Sequence, residues 1–334
     1  MDGDELQLFE RGLRHAAASS TAGALDVALG ELGWPEALET DPRTAVSVLF
    51  ELQGAAHATS SALNRVVTRA LGVDGWEPRT GVVLPALGGW APPGMILGGR
   101  VAVSGLATAG FADHHATTAL VVSTRADTTH GDTTRGDTTR GDTDVLATVS
   151  LGDLACRPVS GIDPELGLVE VTGDAPATEI RPVDWPAAVA LRQLALGHEL
   201  VGAARTMLGM ARAHALDRIQ FGRPIATFQA VRHRLADTLI AIETADAVLV
   251  AGWEDGSPQT AAMAKALAGR GARSAARHCQ QVLAGIGFTT EHPLHHYIRR
   301  ALVLDQLLGS ALALTRALGD DLLRSRQLPP LLAL

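Results

Sequence analysis

"RIQFGRPIATFQ", residues 218–229, breaks into an alanine-rich helical pattern with two arginines, two glutamines and two phenylalanines at fixed offsets. Charges and amides are poor core material, because burying them unpaired costs free energy. Arg218 presents a planar fork suited to a carboxylate or phosphate. Gln220 and Gln229 each offer both donors and acceptors. The stretch therefore reads as a binding surface set into a helical frame. Phe221 and Phe228, seven residues apart, are also compatible with plain core packing.

Outward from it, the helical period dominates one side of the chain. From Trp185 to about Arg326 apolar residues recur at three- and four-residue spacing, which predicts four or five bundled helices. Residues 1–78 read the same way, with Asp41-Pro42 as a helix start. Between them "TGVVLPAL", "RVAVSGLA", "TTALVVST", "DVLATVSL" and "LGLVEVTG" are short β-branched runs cut by Gly and Pro, hence strands of a small sheet or barrel. The expected organisation is mainly α with a β middle domain: helices over 1–78, strands over 79–182, and a helical bundle over 183–334. Within the strands, "DTTHGDTTRGDTTRGDTD" at 127–144 is a near-perfect pentapeptide repeat. Its small polar composition predicts a low-complexity loop over 125–144. Regular aspartates invite a calcium site, but the ligand density of calcium loops is missing. No metal site is expected, there or at His292, His295 and His296, which lack a ligand spacing.

The bulk numbers exclude other classes. A net charge of -8 gives no basic excess for a nucleic-acid surface. With aromatics at only 4%, alanine, leucine and valine must fill the core, which favours closely packed helices. Cys156 and Cys279 form neither a disulfide framework nor a zinc spacing. The acidic start "MDGDELQLFERGL" does not read as a signal peptide, and no run of 18 apolar residues occurs. A cytoplasmic location is the expectation.

Two stretches at their mutual spacing, "RIQFGRPIATFQ" and "QVLAGIGFTTEHPLHHYIRRA" at 281–301, resemble the acyl-CoA dehydrogenase family. The resemblance is strong over roughly 195–309; "LGELGWPEAL" and "SVLFELQGAAHATSSAL" resemble the family's N-terminal domain more weakly. It implies a helical N-terminal domain, a small β domain and a C-terminal four-helix bundle. It implies FAD as cofactor, with Arg218, Gln220, Phe228, Gln229, Gln281 and Gly285 reaching across a subunit interface to the adenosine-diphosphate half. Gly285 lets backbone approach where a side chain would collide.

The family's reaction removes an α-proton from an acyl-CoA thioester with a carboxylate while a β-hydride moves to the flavin. Counting forward from Glu291 of "TEHP" places the usual base at Leu308, with Gly309-Ser310 following in register. The other position used in the family, 26 residues before Arg218, is Arg192. Neither side chain can take a proton. Residues 82–110 also lack the Thr-Glu-Pro and Gly-Ser-Asp segments that hold the flavin ring in competent relatives. The resemblance is therefore to the shorter, degenerate subunit of actinobacterial α2β2 acyl-CoA dehydrogenases acting on steroid side-chain CoA thioesters. No catalytic residue is assigned. The expected partner is a longer catalytic subunit, with "ALALTRALGDDLLRSR" at the interface. Two alternatives stay open: a self-sufficient enzyme with a relocated base, Glu199 or Asp305, and a flavin-free scaffold or acyl-CoA-binding protein.

Overall fold

A computed structural model of the chain describes residues 3–19, 22–73, 80–108, 111, 117–125 and 144–326. The repeat expected to form a loop lies outside the described residues, apart from Asp144. Helices α1 (Gly3–Ser19), α2 (Ala22–Glu31), α3 (Trp34–Thr40), α4 (Pro42–Ala56) and α5 (Ala62–Ala70) come first. Strands follow: β1 (Thr80–Val83), β2 (Gly94–Leu97), β3 (Arg100–Ala107), β4 (Thr118–Arg125), β5 (Asp144–Ser150), β6 (Leu154–Pro158), β7 (Val169–Pro176) and β8 (Glu179–Pro182). The rest is α6 (Trp185–Asp217), a two-strand hairpin β9 (Ile219–Gln220) and β10 (Arg223–Pro224), then α7 (Gln229–Asp255), α8 (Pro258–Leu283), α9 (Leu294–Gln306) and α10 (Ala311–Ser325). A mainly helical chain with a β middle section is thus the observed fold class.

Local chemistry sets the helix starts. Asp41 accepts from Thr44 N at 3.1 Å with Pro42 in the first turn, and Asp184 accepts from Ala187 N at 3.0 Å ahead of Pro186. Ser257 and Ser310 cap α8 and α10 in the same way, each accepting a backbone N–H at 3.2 Å. Each cap satisfies a donor that the helix itself leaves unpaired.

The sheet runs β6-β7-β3-β2-β4-β5-β8, and β1 shares with β2 the slot beside β4, both parallel to it. Alternation along β4 serves two cores. Ala119 and Val121 face a cluster with Val145, Ala147 and Val171, built from the sheet's own residues, so the sheet curls over it. Leu120 and Val122 face the other way, onto Val67 of α5 and Trp185, Ala188 and Val189 of α6. The 33-residue α6 is thus the spine: its first turns hold the sheet and its remainder packs on α4, α7 and α8. Alanine at 195, 203, 211, 264, 268, 272 and 275 is buried where these helices meet. The runs quoted from the sequence leave out β2, β6, β8 and the hairpin, which are short and, unlike β1, carry no run of β-branched residues.

The apolar stretch 294–325 is two helices, of 13 and 15 residues, broken at 307–310. Each is shorter than the roughly 20 residues a bilayer crossing needs.

Candidate functional site

The hairpin after α6 decides where the polar residues of 218–229 go. Gln220 pairs with Arg223 and Ile219 with Pro224, so Phe221 and Gly222 are the two turn residues, with φ of 53° and 77°. That is the left-handed pair of a tight hairpin turn, which Asn and Gly adopt readily and phenylalanine does not. Phe221 is also 92% exposed. It gains neither relaxed backbone nor burial within this chain. The core reading of the two phenylalanines therefore fails: the Phe221 and Phe228 rings sit edge to face, 6.1 Å apart, at the surface. Arg223 lies over the Phe228 ring at 4.5 Å.

Behind this turn lies a cavity of about 340 Å³, lined by Gln220, Phe221, Phe228, Arg234, Gln281 and Val282, among others. Three of the residues singled out from sequence, Gln220, Phe228 and Gln281, thus meet in one place although the first and last are 61 positions apart. Gln229 is the first residue of α7 beside it, outside the lining. Arg218 caps the end of α6, where its backbone closes the hairpin through Ile225 N at 2.9 Å; its side chain is not in the lining. Gly285 lies in the 3₁₀ turn Ala284–Phe288 that ends α8, and an added Cβ there would meet nothing within 4 Å. The crowded glycine of that turn is Gly287, whose Cβ would fall 2.8 Å from Gln280 O. Any close approach that Gly285 permits is to a molecule outside this chain. Among the described residues the amides of Gln220, Gln229 and Gln281 have no hydrogen-bond partner, and Arg218 and Arg234 have no carboxylate at ion-pair distance. Unpaired guanidinium groups, free amides and an exposed ring beside an open cavity fit a molecule with anionic, polar and planar parts, which FAD's adenosine diphosphate has.

The positions expected to carry a base are closed. Leu308 is buried in the turn between α9 and α10, with φ of 56°. Lys265, fully buried on α8, donates to Asp305 O at 3.1 Å and Gly309 O at 3.4 Å, and Gln193 donates to Leu308 O at 2.9 Å. Asp305 is committed as well: it accepts from Ala311 N at 3.0 Å and pairs with Arg273 at 3.5 Å. Its ion-pair partner is thus Arg273. Arg192 is fully buried, and its three guanidinium nitrogens have no hydrogen-bond partner among the described residues.

Glu199 sits elsewhere, about 27 Å along α6 from the helix's end at Asp217. Burial pushes its carboxyl up to about 7 against the pull of Arg300 at 3.8 Å. Arg300 is itself bonded to Asp163 and donates to Ala58 O at 2.8 Å. Two carboxyls share one cation, and Glu199 is the one that keeps its proton up to near-neutral pH.

The model of the "Acyl-CoA dehydrogenase, C-terminal domain" family matches residues 188–322. The acyl-CoA dehydrogenase IpdE2 of Mycobacterium tuberculosis is 31% identical over 268 residues, 78% of this chain and 83% of that one. The acyl-CoA dehydrogenase FadE34 of the same organism is 33% identical over 208 residues, 57% of this chain but 29% of its own. Among solved structures, a variant of the Tcur3481-Tcur3483 steroid ACAD superposes with a TM-score of 0.77 at 24% identity, over 97% of this chain and 99% of that one. The ChsE4-ChsE5 complex from M. tuberculosis gives 0.75 at 20% identity, over 99% of both chains.

Proposed function

We propose a function from one premise: this chain belongs to the acyl-CoA dehydrogenase family. It serves as the non-catalytic subunit of a heteromeric, FAD-dependent acyl-CoA dehydrogenase, completing the adenosine-diphosphate site of a longer catalytic partner. The observation that carries this reading is a contrast: an open, cation-rimmed cavity at the hairpin, against a filled turn at Leu308 whose neighbouring carboxylate, Asp305, is already bonded. When bound, FAD supplies the hydride acceptor. This chain's share is to bind and orient. Arg218 and Arg234 face the pyrophosphate charge, the free amides of Gln220, Gln229 and Gln281 meet ribose and adenine, and Phe221 packs on a flat surface of the ligand or partner. Leu308 and Arg192 leave proton abstraction to the partner.

Similarity to two heteromeric assemblies, ChsE4-ChsE5 and the Tcur3481-Tcur3483 steroid ACAD, supports a partner subunit; the α2β2 arrangement rests on the family resemblance alone. A steroid side-chain CoA thioester is the substrate class that the latter's name suggests. Exposed Leu312, Leu322 and Leu323 on α10, and Leu239 and Ile240 on α7, supply apolar surface for the partner. Purification tests this directly. The lone chain is expected to be colourless, and the chain co-expressed with a longer acyl-CoA dehydrogenase to be yellow with bound FAD. A yellow lone chain that turns over an acyl-CoA contradicts the non-catalytic role. A colourless complex contradicts the shared site.

A second reading draws on Glu199, whose carboxyl near 7 is in the range of a working base. It makes the chain a self-sufficient dehydrogenase, and it requires Glu199→Gln to abolish turnover by the lone chain.

A further inference from the structure

His57, Glu165 and His296 come from three separate parts of the chain: the C-terminal cap of α4, the 3₁₀ turn Pro164–Leu166 between β6 and β7, and the first turn of α9. One ligand-capable atom of each nevertheless lies within 4.8 Å of the other two. His57 Nδ1 is 3.3 Å from one oxygen of the Glu165 carboxylate, and His296 Nδ1 is 4.0 Å from the other. The two imidazole centroids are 5.4 Å apart, tilted by 57°.

A histidine–glutamate ion pair explains one of these contacts. It gives no reason for a second imidazole on the same carboxylate, where two protonated rings would repel each other. An ion at the centre explains both. Two imidazoles on one tetrahedral zinc, at Zn–N of about 2.0 Å, place their nitrogens about 3.3 Å apart and their centroids about 5 Å apart. The observed spacings need only small side-chain rotations to reach that arrangement.

We infer that His57, Glu165 and His296 form a zinc-type divalent metal site that joins the N-terminal helices, the β section and the C-terminal bundle at one point. Two imidazoles and one carboxylate suit zinc and disfavour calcium or magnesium, which want oxygen ligands throughout. The remaining positions fall to water, because the Glu165 and His296 side chains are 60% and 41% exposed and leave an open side. The ligands are already held in place. The His296 ring stacks on His295 at 4.0 Å, and Glu165 O accepts from Thr59 Oγ1 at 3.4 Å. Arg300 lies on the inner side of His57, but its ion pair with Asp163 balances its charge. His57 Nε2 is buried with no acceptor among the described residues. Loss of such a supporting bond costs about 10–100-fold in affinity, so micromolar binding is expected. The comparable cluster of Glu51, His198 and Asp246 differs, because Arg205 already occupies it, bonded to Glu51 at 2.5 Å and Asp246 at 3.0 Å.

The test is titration of the metal-stripped full chain with zinc chloride, followed by calorimetry and by thermal unfolding. The wild type is expected to bind one equivalent at micromolar zinc and to melt several degrees higher. Glu165→Gln and His296→Ala change exposed side chains that the core does not need. Each is expected to weaken that equivalent at least tenfold and to cancel the thermal shift. No binding at these concentrations overturns the inference. Binding unchanged in both variants also overturns it, and assigns the zinc to other histidines or to the aspartate repeat.

Discussion

Arg192 is a charge without a counter-charge. Its guanidinium is fully buried, has no hydrogen bond among the described residues, and is pushed well below its usual pKa by desolvation alone. An unpaired internal ion costs several kcal/mol, while a well-packed apolar residue in its place costs nothing comparable. Arg192→Met is therefore expected to raise the unfolding free energy by at least about 1 kcal/mol in urea titrations; a loss of stability would reveal a partner for the cation. Glu199 makes a pH-dependent prediction. Its folded pKa of about 7 lies above the ordinary 4.5, so the folded state holds a proton that the unfolded state releases. Stability from this group is intact below 4.5 and is lost as the pH rises through 7, by about 3 kcal/mol in all. Comparison of Glu199→Gln with wild type should show near-equal stability at pH 4 and a more stable variant at pH 8. A constant difference across that range contradicts the buried neutral carboxyl. At this scale the vacant base positions were legible, because counting from Arg218 and Glu291 reaches Arg192 and Leu308 directly. The isolation of Arg192, the Lys265 contacts and the His57–Glu165–His296 group were not, because each depends on residues that only the tertiary fold brings together.

The elements make two further predictions. Helices α4 and α6 cross at a pair of glycines. A Cβ on Gly54 would fall 1.9 Å from Glu199 O, and one on Gly202 would fall 2.0 Å from Glu51 O. Backbone meets backbone at both points, so no rotamer change relieves the clash. Gly54→Ala is expected to destabilise by about 3 kcal/mol or more, at the upper end of overpacking costs. Gly252→Ala, which meets only the methyl of Leu194 at 2.7 Å, should cost less in the same melts. The hairpin β9–β10 makes the opposite kind of case. Phe221 sits in a left-handed conformation and is almost fully exposed, strain that burial in this chain does not offset. Phe221→Gly should leave the lone chain as stable or more so, and should weaken FAD retention in the complex. Loss of stability in the lone chain would instead give the ring a structural role. The long helices and strands β1, β3, β4, β5 and β7 were readable from period, β-branched runs and punctuation. The hairpin was not, because two residues per strand inside a helical run leave no alternation to see. Gly54 and Gly202 were equally opaque, since a helical glycine shows its packing reason only when its neighbour is in place.

Across the whole molecule, a spine helix carries a curled sheet at one end and the hairpin cavity at the other, about 38 Å from Arg192 by the rise of α6. The filled turn and the open cavity are thus distinct places, and one can serve a cofactor while the other serves packing. Apolar side chains left exposed beside the cavity, Ile286 and Phe288 after α8 and Leu216 and Ile219 at the end of α6, place unpartnered surface near the polar groups. A shared cofactor site requires that combination: charge and amides for the ligand, and apolar surroundings for a second chain. The account is tested most directly by the FAD dissociation constant of the reconstituted complex carrying Arg218→Ala and Gln281→Ala in this chain alone. The complex should still assemble and should bind FAD at least tenfold more weakly than wild type. An unchanged constant in an intact complex would contradict the account.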